Sequence, residues 1–146
     1  MSSQNQTIEM SEFYSTVYQM MESYGSSVET ALTETKKILA DKTAKDLKST
    51  SPVGRGRKSG TYGKNWTWTA KSHGEFIVYN KKTYRLTHLL EYGHATRLGT
   101  GKGRYTYGSK ARTKAQPHIG EAERKMKDEI GKVLEEQLGL QYRRTN

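Results

Sequence analysis

The chain has no cysteine. That excludes a disulfide scaffold, thiolate zinc sites and a cysteine nucleophile. No apolar run approaches the roughly 18 residues of a membrane span. The opening Met1-Ser2-Ser3-Gln4-Asn5-Gln6 lacks the basic and apolar regions of a signal peptide. A soluble protein, not in a membrane and not secreted by that route, is expected. Hydrophobic residues are only 32% of 146, and mean hydropathy is -0.94. One domain with a small core is expected, and so thin a core favours assembly with copies of itself.

Acid is scarce in the middle of the chain. Of 15 acids, 7 lie before Leu47 and 6 after Gly120. Between those points only Glu75 and Glu91 face 15 Lys and Arg. The net charge of +10 therefore hides a strongly positive centre, which attracts polyanions or acidic partner surfaces. From His94 to Gly120 there is no acid, while Arg97, Lys102, Arg104, Lys110, Arg112 and Lys114 all occur.

Periodicity then divides the chain. Residues 1–49 form a helical region. Phe13, Val17, Met20, Met21 and Tyr24 recur at spacings of three and four, with Ser11 a candidate cap. This stripe suits core or a partner-binding face. After Gly25, which breaks or only bends the helix, a stripe of Val28, Ala31, Leu32, Thr35, Ile38, Leu39 and the Lys42 stem continues to Ser49. Residues 50–64 form a basic glycine-rich loop carrying Arg55, Arg57, Lys58 and Lys64. Within residues 65–116, Asn65–Ala70 and Glu75–Asn80 pair as an antiparallel hairpin. Leu86, Leu89 and Leu90 mark a short helix stopped by Gly93 in the αL conformation. A second mobile basic loop follows, in which Arg104–Tyr107 forms a strand or an extended arm. Residues 117–140 form the last helix, with Pro117 in its first turn and a stripe of Ile119, Ala122, Met126, Ile130, Val133, Leu134 and Leu138. Residues 141–146 are a polar tail. The predicted class is α+β, a small antiparallel sheet flanked by N- and C-terminal helices with long basic loops.

Catalysis has little to work with. His73, His88, His94 and His118 show no metal-ligand spacing. His88, Glu91 and His94 are the nearest thing to an acid–base set, yet each has a simpler structural use, so no enzyme activity, metal or cofactor is expected. Glu91, isolated among cations, is expected to pair with an arginine or lysine. Tyr62, Trp66, Tyr105 and Tyr107 interleave with the basic loops as a stacking surface for nucleic acid would, although Trp66 is better explained by strand burial.

Leu89, Leu90, Glu91, Tyr92, Gly93 and His94, then a basic glycine-rich gap and Pro117, His118 and Ile119, resemble the HK97 gp10-like family of tailed-phage morphogenesis proteins. Upstream, Ser51-Pro52-Val53, Gly60-Thr61-Tyr62 and Lys64-Asn65-Trp66 are similar to its approach to the first strand. The resemblance spans roughly residues 49–138. It implies a structural virion protein of the neck, made in the host cytoplasm, acting in tail completion or head-to-tail joining. Identical subunits, commonly six, would form a ring contacting head-connector and tail-terminator or tail-tube proteins. No catalysis or cofactor belongs to that role. The ten loop cations named above would then be partner contacts, with non-specific contact to DNA in the channel left open. The alternative is a free-standing, non-specific nucleic-acid-binding protein using the same bases.

Overall fold

A computed structural model describes residues 10–100 and 104–145, with side chains described over 15–95 and 112–144. Helix α1 (Met10–Thr50) is followed by a one-turn helix α2 (Thr61–Lys64) and strands β1 (Trp66–Ala70) and β2 (Phe76–Asn80). A 3₁₀ turn (Tyr84–Leu86) leads into α3 (Thr87–Tyr92), then β3 (Ala95–Thr100), β4 (Arg104–Arg112) and α4 (Ile119–Thr145). The class is α+β: long helices at both ends with two two-stranded antiparallel sheets between them.

Helix α1 is the beam of the molecule, about 60 Å long at 1.5 Å per residue. It runs through Gly25 without interruption, and Ser11 lies inside it rather than capping it. Helix α4 lies antiparallel beside it, held by ion pairs of Lys42 with Glu129 at 3.0 Å and Asp46 with Lys125 at 3.2 Å. Leu39 and Thr43 of α1 and Ala122 and Met126 of α4 line the cleft between them, and Ala31, Thr35, Ala40 and Ala44 of α1 are buried. The expected stripe is thus largely the packed one, with one difference: Leu32 is 41% exposed. Lys42 lines the cleft toward α4, where its ammonium pairs with Glu129.

The hairpin pairs Trp66 with Asn80 and Trp68 with Val78, which sets both indoles on one face. Each is tied to α1. Trp66 Nε1 donates to the Ser51 hydroxyl at 2.9 Å, and that hydroxyl donates to the Leu47 carbonyl. Trp68 Nε1 donates to Asp41 at 3.4 Å. Leu47, Tyr62, Trp66 and Ala122 form the core, with Val78, Leu90 and Ile119 packed against it. The core therefore sits where the end of α1, the hairpin and the start of α4 converge.

Four expectations are corrected. The first basic loop is not all loop: Thr61–Lys64 is helical and buries Tyr62 and Gly63, because the Tyr62 ring belongs to the core. The second is a hairpin, with β3 paired antiparallel to β4 from Thr100↔Arg104 to Ala95↔Arg112. Helix α4 starts at Ile119, so Pro117 precedes it. The supposed tail is helical to Thr145: Gly139 is tolerated inside a helix at a cost of about 1 kcal/mol, and Gln141 is buried.

Two glycines on opposite sides of this argument give a test. A Cβ at Gly63 would stand 2.8 Å from the Lys48 carbonyl oxygen, whereas one at Gly139 meets nothing within 4 Å. Gly63→Ala is expected to destabilise by about 1–3 kcal/mol through overpacking, and Gly139→Ala to stabilise by about 0.4–1 kcal/mol. Urea melts of the two variants read both signs.

Candidate functional site

A helix leaves its first N–H groups without partners. Helix α4 is preceded by Ala115-Gln116-Pro117-His118, and none of these is the Ser, Thr, Asp or Asn that usually caps. Pro117, just ahead of the helix, carries no N–H of its own. Three N–H groups at the helix start are met from elsewhere in the chain. Glu91, near the end of α3, accepts from the His118 N–H at 2.9 Å and the Ile119 N–H at 3.0 Å through Oε2, and from the Gly120 N–H at 2.9 Å through Oε1. Its side chain is only 10% exposed. Burial pushes the Glu91 carboxyl upward, but the three N–H donors, from His118, Gly120 and Ile119, outweigh it and hold the group below its ordinary range.

The chain around Glu91 is tied to the same junction. Gln116 N–H donates to the Leu90 carbonyl at 2.8 Å. Thr113 N–H donates to the His94 carbonyl at 2.8 Å, and His94 N–H donates to the Thr113 hydroxyl at 2.9 Å. Gly93 turns the chain between them at φ 69, ψ 163. It is not the αL stop expected from sequence but a conformation open almost only to glycine. A Cβ there would also run into the Thr113 carbonyl oxygen.

His118 closes the inner side, with its side chain 3% exposed. Its Nδ1 lies 2.8 Å from the Gln116 carbonyl oxygen and 3.3 Å from Glu91 Oε2. A carbonyl only accepts, so Nδ1 carries a proton. Nε2 lies 2.8 Å from the Tyr62 hydroxyl. Burial first, and the Glu91 charge second, push the Tyr62 hydroxyl up to about 12, so it stays protonated in this pair. Tyr62, Trp66 and His118 stack edge to face.

The two halves of the sequence motif thus form one clasp. Glu91, Gly93 and His94 meet Thr113, Gln116, His118 and Ile119, and Leu90 packs on the core. Leu89 is half-buried, while Tyr92 and Pro117 are exposed at its rim. Glu91 pairs with no arginine or lysine among the described residues, because backbone donors reach it first. His88, Glu91 and His94 do not act as a set. The carboxylate is committed to α4, His94 Nδ1 faces Thr113, and His88 is exposed. Among the described residues no group of three His, Asp or Glu side chains could hold a metal ion. Sequence reasoning missed Tyr62, Thr113, Gln116 and Gly120 as members of the clasp. One signal was present: a helix start without a capping side chain, downstream of a lone acid.

The cations lie outside the clasp. Arg55, Arg57, Lys58, Lys64, Arg112 and Lys114 are all exposed and have no ion-pair partner among the described residues. Arg97, Arg104 and Lys110 lie on β3 and β4, where only the backbone is described, and Lys102 is outside the described residues. Tyr62 and Trp66 are buried, so neither can stack on a base. The side chains of Tyr105 and Tyr107 are outside the described residues.

The clasp predicts an acid-sensitive junction. A carboxyl held low in the folded chain contributes fully above its unfolded value near about 4.3. That contribution is lost as pH falls through the lower folded value. Glu91→Gln is expected to cost about 1–3 kcal/mol at neutral pH. It should also flatten the loss of stability on acidification, which urea melts from neutral to strongly acidic pH would show.

No protein-family model matches the chain, and no curated protein or solved structure matches it either. The reading of the clasp and its cations therefore rests on their own geometry and chemistry.

Proposed function

We propose that the chain is a structural component of a tailed-phage neck, acting in tail completion or head-to-tail joining as a ring of identical subunits. The observation that carries this reading is a division of labour. The motif residues Leu90, Glu91, Gly93, His94, His118 and Ile119 are spent on holding the body together. The cations beside them are exposed and unpaired among the described residues. A protein built this way offers positive surface, which suits docking onto acidic neighbours. The neighbours would be head-connector and tail-terminator or tail-tube proteins.

A non-specific nucleic-acid-binding protein is the second reading, and the unpaired cations favour it equally. The burial of Tyr62 and Trp66 weakens it, because two of the four aromatics it would stack on are already in the core. The readings part in solution. Phosphate binding falls steeply with salt as counterions return, and it needs no second protein.

Replacing Arg104, Lys110, Arg112 and Lys114 by Ser tests the joining role. The expected outcome is folded protein, filled heads and finished tails that do not unite, counted by electron microscopy of infected-cell lysates. Infectious particles at normal yield would show that these cations do not dock.

A further inference from the structure

The two ion pairs between α1 and α4, Lys42 with Glu129 and Asp46 with Lys125, share one antiparallel register. Extended along that register, the end of α4 at Thr145 comes level with about Ser26 of α1. The first four turns of α1 therefore project beyond α4. On them Val17 is 36% exposed and Tyr24 73% exposed, with Met20 and Met21 exposed beside them. Spacings of three and four put these four side chains on one face. It is an apolar stripe with no described residue packed over it. The stretch is also of one sign: residues 1–35 contain five acids, Glu9, Glu12, Glu22, Glu29 and Glu34, and no lysine or arginine.

The opposite end of the same helix carries the complement. Where α1 stops, Pro52, Val53, Leu86 and Leu90 line an open groove edged by Arg55 and Lys58. Val53 is 72% exposed and Leu86 43% exposed. The nearest acid in sequence to Leu86 and Leu90 is Glu91, whose charge is held by the start of α4.

We infer that the projecting face of α1 docks on the Val53–Leu86 groove of a second copy of the chain, head to tail. Three facts select this occupant. The apolar stripe and the apolar groove both lack cover. Their flanking charges are opposite, whereas pairing two projecting helices would set acid against acid. The two patches also lie about 45 Å apart along one continuous helix, so they cannot meet within a subunit. Such a contact is heterologous: it closes into a ring if the rotation per subunit allows, and otherwise grows as a filament. The inference rests on the ring reading above and names the two surfaces that join one subunit to the next.

The test uses the full chain and two double variants, Val17→Asp with Tyr24→Asp and Arg55→Glu with Lys58→Glu. All four positions are exposed, so circular dichroism and melting temperature should match the parent. Light scattering then gives molar mass across concentration and salt. The expected result is a parent that self-associates, less so at high salt, and variants that each run as monomers, at least 10-fold weaker in association. Mixed together, the two variants should form a one-to-one dimer, since each retains the half the other lost. If the Arg55/Lys58 variant associates like the parent, the helices pair with themselves and the inference is wrong. A parent that stays monomeric throughout, or a mixture that does, overturns it too. So does an Arg55/Lys58 variant that loses only duplex DNA binding. None of these outcomes bears on whether the chain joins heads to tails, which particle counts decide separately.

Discussion

One carboxylate fixes where the last helix begins. Glu91 takes three backbone N–H groups of α4 in a site almost closed to water. Each bond is between an ion and an amide, stronger than the neutral kind, and the acid sits at the positive end of the helix dipole. The consequences run inward. With α4 pinned to α3, His118 is carried under Tyr62, and Ala122 is set against Leu47 and Trp66. The core is small, and among the described residues no large side chain is completely buried. A fold with so little apolar burial leans on its polar junctions more than a larger domain does.

The Ser51–Trp66 link is the counterpart at the other side of the core. It ties the hairpin to the last turn of α1 through one hydroxyl that both accepts and donates. Together the two junctions hold three elements of different kinds around the buried Tyr62. Neither uses the side chain of a lysine or arginine. Arg55, Arg57, Lys58 and Lys64 lie between Ser51 and Trp66 in sequence, yet all are exposed. Changing these cations should alter what the surface meets without altering what the core needs.

Helix-forming stretches were legible because burial repeats with the backbone period. Ala31, Thr35 and Leu39 on α1, and Ala122 and Val133 on α4, fall on the expected stripes. The first hairpin was legible from Trp-Thr-Trp-Thr alternation. In the second hairpin the strand at Arg104–Tyr107 was one of two readings, but β3 and its pairing to β4 were not legible, since the Gly-Lys-Gly-Arg run reads as loop and pairing depends on register rather than composition. Helix ends were least legible. Gly25 read as a break or a bend and the last helix as ending near Gly139, but both helices run on through their glycine, whose propensity cost is only about 1 kcal/mol. The partner of Glu91 was invisible for a deeper reason. Its ligands are main-chain N–H groups, which every residue but proline carries, so no side-chain pattern announces them.

That hidden pairing also explains how a strongly positive centre keeps its charge outward. A lone glutamate among 15 lysines and arginines would ordinarily draw the nearest long side chain across itself. An exposed ion pair of that kind is worth about 0–1 kcal/mol, because water and side-chain entropy compete with it. Three preset amides, already ordered by the helix they start, cost no such entropy. Glu91 is therefore better held by α4 than by any cation that could swing to it. Arg55, Arg57, Lys58, Lys64, Arg112 and Lys114 are left without an ion-pair partner among the described residues. The same carboxylate that closes the body thus preserves the positive surface on which any docking, to an acidic protein or to another copy of this chain, must rest.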